Sequence, residues 1–125
     1  MQLDGEREEW AARLFRSIDD MDTETFLSFL ADDVLFRFGN ADPVIGKAAV
    51  GAAVSGFFRS LRGVDHKLTR AWDEGDTVIC HGTVTYTRQE GTTLKVPFAD
   101  ILSMDGTLIR EYLIFMDVSE LFPSA

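Results

Sequence analysis

The second half of the chain alternates apolar and other side chains with a period of two, and this pattern limits the fold more than any other. The alternation runs through four segments, 64–72, 77–88, 94–104 and 108–118. Short glycine-containing turns at 73–76, 89–92 and 105–106 separate them. Alternation of this kind is typical of β-strands, and short turns of this composition join antiparallel neighbours. The sequence therefore predicts a four-stranded antiparallel meander.

The first half of the chain shows helical spacing instead. Large apolar residues recur every three or four positions over 6–18 and again over 46–61, with Asp4 as a possible cap of the first segment. Asp22 or Thr23 can cap a short second helix that carries Phe26, Leu27, Phe29 and Leu30. Val34, Phe36 and Phe38 then alternate with other residues, as in a strand. Helices followed by a meander predict an α+β fold, with three N-terminal helices packed on a curved, mostly antiparallel sheet.

Composition excludes several classes of partner. A chain of 125 residues with 46% hydrophobic residues predicts a single domain over residues 1–125. Because 21 acidic residues against 12 basic ones give a net charge of -9, we expect neither nucleic acid nor a membrane as partner. The single cysteine, Cys80, cannot form an internal disulfide, and the acidic N-terminus does not read as a signal peptide. We therefore expect a cytoplasmic protein.

The lengths of the turns predict which side chains share a face of the sheet. Pairing Gln89 with Thr92 places His81 opposite Asp100, and pairing Met104 with Thr107 places Glu111 opposite Asp100 as well. By this register one face carries His66, Leu68, Trp72, His81, Thr83, Thr85, Val96, Phe98, Asp100, Leu102, Glu111, Leu113 and Phe115.

The other predicted face is also largely apolar. It carries Val78, Cys80, Val84, Tyr86, Ala99, Ile101, Leu108, Tyr112, Ile114 and Met116. Three helices can cover one face only, so we expect a second copy of the chain to cover the other in a two-fold homodimer. The alternative is a mixed, partly exposed face, which is ordinary in small domains.

Several short motifs accompany this order of elements. They are LADD at 30–33, GDTV at 75–78, DG at 105–106 and MDVSEL at 116–121. With them the chain resembles the SnoaL-like branch of the nuclear transport factor 2-like superfamily. The resemblance implies a cone-shaped sheet with an internal pocket. It also implies a choice among ketosteroid isomerases, polyketide cyclases, limonene-epoxide hydrolases and binding proteins without chemistry, because the fold alone does not identify an activity.

The resemblance carries over at one position and fails at others. Asp100 matches the ketosteroid isomerase aspartate that donates a hydrogen bond to the substrate oxygen. The tyrosine and the proton-shuttling aspartate of those enzymes correspond to Leu14 and Phe38. The arginine of the epoxide hydrolases corresponds to Phe98, and their second carboxylate falls at an apolar residue of the last strand. We therefore expect neither mechanism in its complete form.

The predicted juxtaposition of His81 and Asp100 supplies the candidate chemistry. A carboxylate beside a histidine orients the ring and stabilises its protonated form, so the pair can act as an acid and base. Alternatively, a buried Asp100 can stay protonated and donate a hydrogen bond to a carbonyl. We predict an isomerase-, cyclase- or dehydratase-like protein for a small apolar carbonyl compound. The alternatives are a structural His–Asp bond without turnover, or a ligand-binding or protein-interaction module on the same fold.

The pocket implied by the resemblance would be lined by side chains from the helices, from the strand that contains Phe38 and from the face of the sheet that carries Asp100. The predicted substrate-binding residues are Trp10, Leu14, Phe38, Phe57, Phe58, His66, Thr83, Phe98, Leu102, Glu111, Leu113 and Phe115.

Metal and cofactor sites have weaker support. His66, His81 and Asp100 make a ligand set that non-haem iron can use, but His66 lies only diagonally from His81 in the predicted register. Cys80 falls on the second face without a histidine beside it, which disfavours a nucleophile. We expect no metal and no cofactor.

Overall fold

The computed structural model describes residues 5–122, and the predicted cap Asp4 lies outside them. Within this range the elements are α1 Gly5–Asp19, α2 Thr23–Leu27, β1 Leu30–Phe38, β2 Val44–Ile45, α3 Lys47–Arg59, β3 Leu61–Asp73, β4 Thr77–Arg88, β5 Thr93–Asp105 and β6 Leu108–Phe115. The strands form one sheet in the order β2-β1-β6-β5-β4-β3. The α+β class and the antiparallel meander are confirmed.

Two features at the start of the chain differ from the prediction. Helix α2 is only five residues long, capped by Asp22, whose carboxylate accepts a hydrogen bond from the Thr25 amide at 3.1 Å. Strand β1 then begins at Leu30, which the spacing had assigned to the helix. Strand β1 pairs with β6 and so extends the meander on that side. Because the two strands run parallel, the sheet is mixed.

The hydrophobic core fills the space between the helices and one face of the sheet. Helix α1 buries Leu14 and Phe15, α2 buries Phe26, and α3 buries Val54 and Phe58. The sheet contributes buried side chains from every long strand. The predicted division into a helical layer and a sheet layer is therefore present.

The pairing of β4 with β5 differs from the predicted register by one residue. The Arg88 amide donates to the Thr92 carbonyl across a loop of three residues. Within the loop the Gly91 amide donates to the Arg88 carbonyl, and Gly91 has a φ of 95°. A loop of two or four residues was assumed, and an odd loop reverses the faces of one strand relative to the other. His81 consequently lies opposite Ala99, and Cys80 lies opposite Asp100. The predicted His81–Asp100 juxtaposition is wrong.

Register shifts in two further strand pairs change the faces again. Between Leu68 and Arg70 the pairing of β3 with β4 shifts, which brings His66 opposite Val84. Between Ser103 and Met104 the pairing of β5 with β6 shifts. A bulge of one residue moves the following side chains to the other face. Its position cannot be predicted from the sequences of the turns.

The sheet has two distinct faces. We call the face against the helices the inner face; it carries Val64, His66, Val78, Cys80, Gly82, Val84, Tyr86, Phe98, Asp100, Leu102, Tyr112 and Ile114. We call the opposite face the outer face; it carries Arg70, Trp72, Ile79, His81, Thr83, Thr85, Ala99, Ile101, Glu111, Leu113 and Phe115. Phe98, Asp100, Leu102 and His66 are inside as predicted, whereas His81, Thr83, Glu111, Leu113 and Phe115 are outside.

None of the helices in residues 5–122 has the length and apolar character that crossing a membrane requires.

The bulge in β3 depends on Gly82. A Cβ atom at Gly82 would lie 1.9 Å from the Lys67 carbonyl oxygen, so the two backbones can approach this closely only without a side chain there. We expect Gly82→Ala to lower the free energy of unfolding by about 1–3 kcal/mol, as overpacking does elsewhere, measured by urea denaturation.

Gly56→Ala is the matched control for this substitution. Its Cβ would meet only the Arg59 side chain, at 3.9 Å, and alanine is favoured by about 1 kcal/mol over glycine inside a helix. A Gly82→Ala variant as stable as the wild type would show that the bulge tolerates a side chain.

Candidate functional site

A small, partly open cavity lies between the inner face and the helices. Its volume of about 50 Å³ is room for about three water molecules. The wall is apolar and comes largely from α2, α3, β1 and β6. Polar atoms come from four side chains, His66, Tyr86, Asp100 and Tyr112. An apolar enclosure with a few convergent polar groups is the usual form of a small-molecule site.

Asp100 is the polar group with the most unusual surroundings. It is 2% exposed on β5, and its Oδ1 atom has no hydrogen-bond partner within residues 5–122. Burial raises the pKa of this carboxyl well above its usual value, and a hydrogen bond with Tyr112 opposes the shift without cancelling it. The interior therefore favours the neutral acid, which can donate a hydrogen bond to a ligand.

The neighbours of Asp100 are held neutral by the same burial. The pKa of the Tyr112 hydroxyl is raised well above its usual value by burial and by Asp100. Burial, Asp100 and Asp19 raise the pKa of Tyr86. Burial and Asp100 raise the pKa of the Cys80 thiol to about 12, which leaves it a poor nucleophile. This part of the cavity thus favours an uncharged ligand.

His66 faces the same cavity and is paired with a carboxylate that the sequence analysis did not single out. Its Nδ1 atom lies 2.6 Å from Oδ1 of Asp19, and its backbone amide donates to the same carboxylate at 3.1–3.2 Å. The ring packs between Phe15 and Phe98, with centroid distances of 5.0 and 5.2 Å. Asp19 therefore fixes both the position and the tautomer of the ring, which leaves Nε2 for a ligand.

The end of α1 aims Asp19 at the sheet. The amide of Met21 donates to Ile18 and that of Asp22 donates to Ser17, the pair of bonds that closes a Schellman motif. Met21 occupies the left-handed position with a φ of 53°, where glycine is the usual residue. A carboxylate at a helix C-terminus is opposed by the helix dipole, by about 0.3–1 kcal/mol. The hydrogen bonds between Asp19 and His66 offset the unfavourable position of this carboxylate at the end of the helix.

The structure brings together only part of the predicted site. Phe38, Phe57, Phe58, His66 and Asp100 line the cavity. Four others belong to the core or its edge without reaching the cavity wall, namely Trp10, Leu14, Phe98 and Leu102. The remaining predicted residues are separated from the cavity by the sheet, namely His81, Thr83, Glu111, Leu113 and Phe115. His81 instead stacks on Trp72, with ring centroids 5.6 Å apart.

Asp19, Tyr86 and Tyr112 are the polar groups at or behind this cavity that sequence reasoning missed. Tyr112 and Tyr86 were assigned to the opposite face because the odd loop and the bulge were not recognised. Asp19 offered one usable signal, since an acidic residue ends α1 where the helix dipole disfavours it. Nothing local indicated that its partner would be His66, 47 positions later.

Comparison with known proteins identifies the type of fold. The family model of the SnoaL-like domain matches residues 11–112. None of the curated proteins matches the chain.

Solved structures give the same result at low sequence identity. TerC, co-crystallised with polyporic acid, is 21% identical, with a TM-score of 0.77 over 90% of this chain and 92% of TerC. A protein from Shewanella denitrificans described as a SnoaL-like polyketide cyclase is 14% identical, with a TM-score of 0.81 over 94% and 95% of the two chains. An LEH-like epoxide hydrolase from M. tuberculosis is 15% identical, with a TM-score of 0.76 over 90% and 83%. At these identities the likeness concerns the fold alone.

The burial of Asp100 predicts a specific dependence of stability on pH. Because its pKa is raised in the folded protein, the folded state holds this proton longer than the unfolded state as pH rises. The wild type should therefore lose stability relative to Asp100→Asn as pH rises above about 4, the usual aspartate value. We expect a difference of about 1–3 kcal/mol in the free energy of unfolding near neutral pH, measured by urea denaturation across a pH series.

Asp105→Asn, at an exposed position beside the β5–β6 turn, serves as control. It should show no comparable change with pH. A difference between Asp100→Asn and the wild type that stays constant from about pH 4 to pH 8 would contradict a raised pKa at Asp100.

Proposed function

The chain belongs to the SnoaL-like family, as its order of motifs predicted, and from this premise we propose that it transfers a proton on a small, uncharged carbonyl compound. The carbonyl oxygen would lie at Asp100 and the reacting carbon at His66. Isomerisation, cyclisation and dehydration of ketones can all begin with such a transfer, so the proposal names the first step that these reactions share.

One observation carries the proposal. A buried carboxyl group with an unpartnered oxygen lines the same apolar cavity as a histidine whose other nitrogen is bonded to a carboxylate. Titratable groups in environments that favour opposite protonation roles are the recurring arrangement of acid–base sites.

The geometry supports a division of labour between the two groups. Neutral Asp100 donates a hydrogen bond to the carbonyl oxygen and stabilises the negative charge that develops there. Nε2 of His66 takes the proton from the carbon next to the carbonyl, and Asp19 stabilises the imidazolium that forms. The electron pair of the broken C–H bond moves into an enol or enolate. Return of the proton to the same or another carbon regenerates neutral His66.

A ligand-binding module without turnover is the second candidate. The volume of about 50 Å³ lies below the roughly 300–1,000 Å³ of most ligand pockets, and this applies equally to a binding module and to an enzyme. A binding module needs Asp100 as a hydrogen-bond donor but does not need a base at His66. A measurement of proton transfer therefore distinguishes the two candidate functions, whereas a measurement of binding does not.

Exchange of ketone protons in heavy water tests the catalytic candidate without knowledge of the natural substrate. The wild type should accelerate deuterium incorporation next to the carbonyl of 2-hexanone, followed by proton NMR. Replacing a general base usually costs about 10²–10⁴-fold in rate, so His66→Ala should lose most of the acceleration.

His81→Ala is the matched control, since the chain has only two histidines and this one lies on the outer face. Its exchange rate should equal that of the wild type. If the wild type binds the ketone but exchanges no faster than His66→Ala, the protein is a binding module and the catalytic proposal fails.

The outer face supports a further proposal, that two copies of the chain pack face to face. Ile79, Ile101, Leu113 and the 53% exposed Phe115 form its apolar centre. Arg70 and Glu111 lie on the same face and carry opposite charges, so a second copy can meet it with complementary charge despite the net charge of -9.

Light scattering at micromolar concentration tests the dimer. We expect about twice the chain mass of 14.0 kDa for the wild type, and the single-chain mass for Phe115→Glu, since a buried charge without a partner breaks an apolar interface. Ile45→Glu changes an even more exposed apolar residue, on β2, and should leave the mass unchanged. A wild type of single-chain mass would contradict the dimer.

A further inference from the structure

A second apolar concavity adjoins the cavity on the side of α3. This α3 groove encloses about 220 Å³ between α3, β1, β2 and the turn that joins the two strands. Ala53 of α3, Val44 of β2, and Ala41 and Asp42 of the turn are among the residues that line it. Asp42 is the one charged side chain among the residues that line it.

The α3 groove and the cavity share one wall. Phe36 and Phe38 of β1, together with Val54 and Phe57 of α3, line both spaces. The separation between them is therefore a single layer of side chains.

Phe57 is the member of this wall with the most aromatic neighbours. Its ring lies 5.1 Å from that of Phe38 and 5.7 Å from that of Tyr86, and the half-exposed ring of Phe122 is 6.5 Å away on another side. Phe57 itself is only partly buried, so its ring is less confined than that of a fully buried core residue. Because Phe57 lines both spaces, rotation of its ring can join them.

The size of the cavity makes the α3 groove relevant to binding. About 50 Å³ can hold a carbonyl group and little more, whereas ligands commonly bury most of their surface. A ligand whose carbonyl reaches Asp100 must therefore extend elsewhere, and the α3 groove is the adjoining space with an apolar lining.

We propose that the α3 groove is a subsite for an apolar chain attached to the carbonyl head of the ligand, with Phe57 as the gate between them. The position of the head rests on the proposed function; the chain subsite rests on the shared wall and the two volumes. The ligand class is thus an uncharged, narrow, elongated ketone. A chain that carries a carboxylate is disfavoured, because the acidic Asp42 lines the α3 groove.

A homologous series of methyl ketones from 2-butanone to 2-decanone tests the subsite. Dissociation constants are measured by NMR titration of the full chain. Burial of one methylene corresponds to about a fourfold change in Kd, so the affinity should rise by about that factor per carbon until the chain reaches the end of the α3 groove.

Two neighbouring alanines of α3 provide the matched variants. Ala53 lines the α3 groove and does not line the cavity, whereas Ala52 lines neither, and both are exposed. Ala53→Trp fills the α3 groove and should abolish the gain in affinity with chain length while leaving 2-butanone unaffected. Ala52→Trp should keep the gain of the wild type.

The outcomes separate this proposal from the proposed function. Equal chain-length dependence in Ala53→Trp and Ala52→Trp overturns the subsite, as does failure of the whole series to bind the wild type. His66→Ala should lose ketone proton exchange and keep the chain-length dependence. If exchange is absent from the wild type while the dependence is present and sensitive to Ala53→Trp, the catalytic proposal fails and the subsite stands.

Discussion

A carboxyl group without a cationic partner in the apolar interior is the constraint on which the site depends. Asp100 is almost fully buried, its pKa is raised by that burial, and one of its oxygens has no partner within residues 5–122. Such a group costs stability unless a ligand completes its hydrogen bonds. Tyr112 supplies a hydrogen bond to it, and His66, which is bonded to Asp19, lines the same cavity. The interior therefore holds a neutral acid that can donate a hydrogen bond to a ligand.

Much of the architecture could be predicted from the sequence, because side-chain periodicity reports on backbone conformation directly. The meander and the family followed from alternation and from the order of motifs. The face on which each side chain lies could not be predicted. It depends on whether each loop has an odd or an even number of residues and on whether a strand contains a bulge. One left-handed glycine, Gly91, makes the β4–β5 loop odd and turns His81 away from Asp100. His66 nevertheless reaches the inner face, because the odd loop and the bulge in β3 reverse parity twice.

The two acid–base groups illustrate different limits of such reasoning. Asp100 was identified by its match to a position of a known family, and its burial agrees with that interpretation. Asp19 acts across 47 positions of sequence, from the end of a helix to the start of a strand, and only tertiary packing brings it to His66. A register prediction treats strands as regular ladders, so it cannot foresee a partner that a helix supplies.

The protonation state of Asp100 is the quantity that tests this account most directly. Carbon-13 NMR of the side-chain carboxyl carbon, assigned by comparison with Asp100→Asn, reports that state in the unliganded protein. We expect the chemical shift of a neutral acid at about pH 6, where an unperturbed aspartate is ionised. The chemical shift of a carboxylate at that pH would show that Asp100 is charged in the folded protein. It would contradict the assignment of this residue as the hydrogen-bond donor of the site.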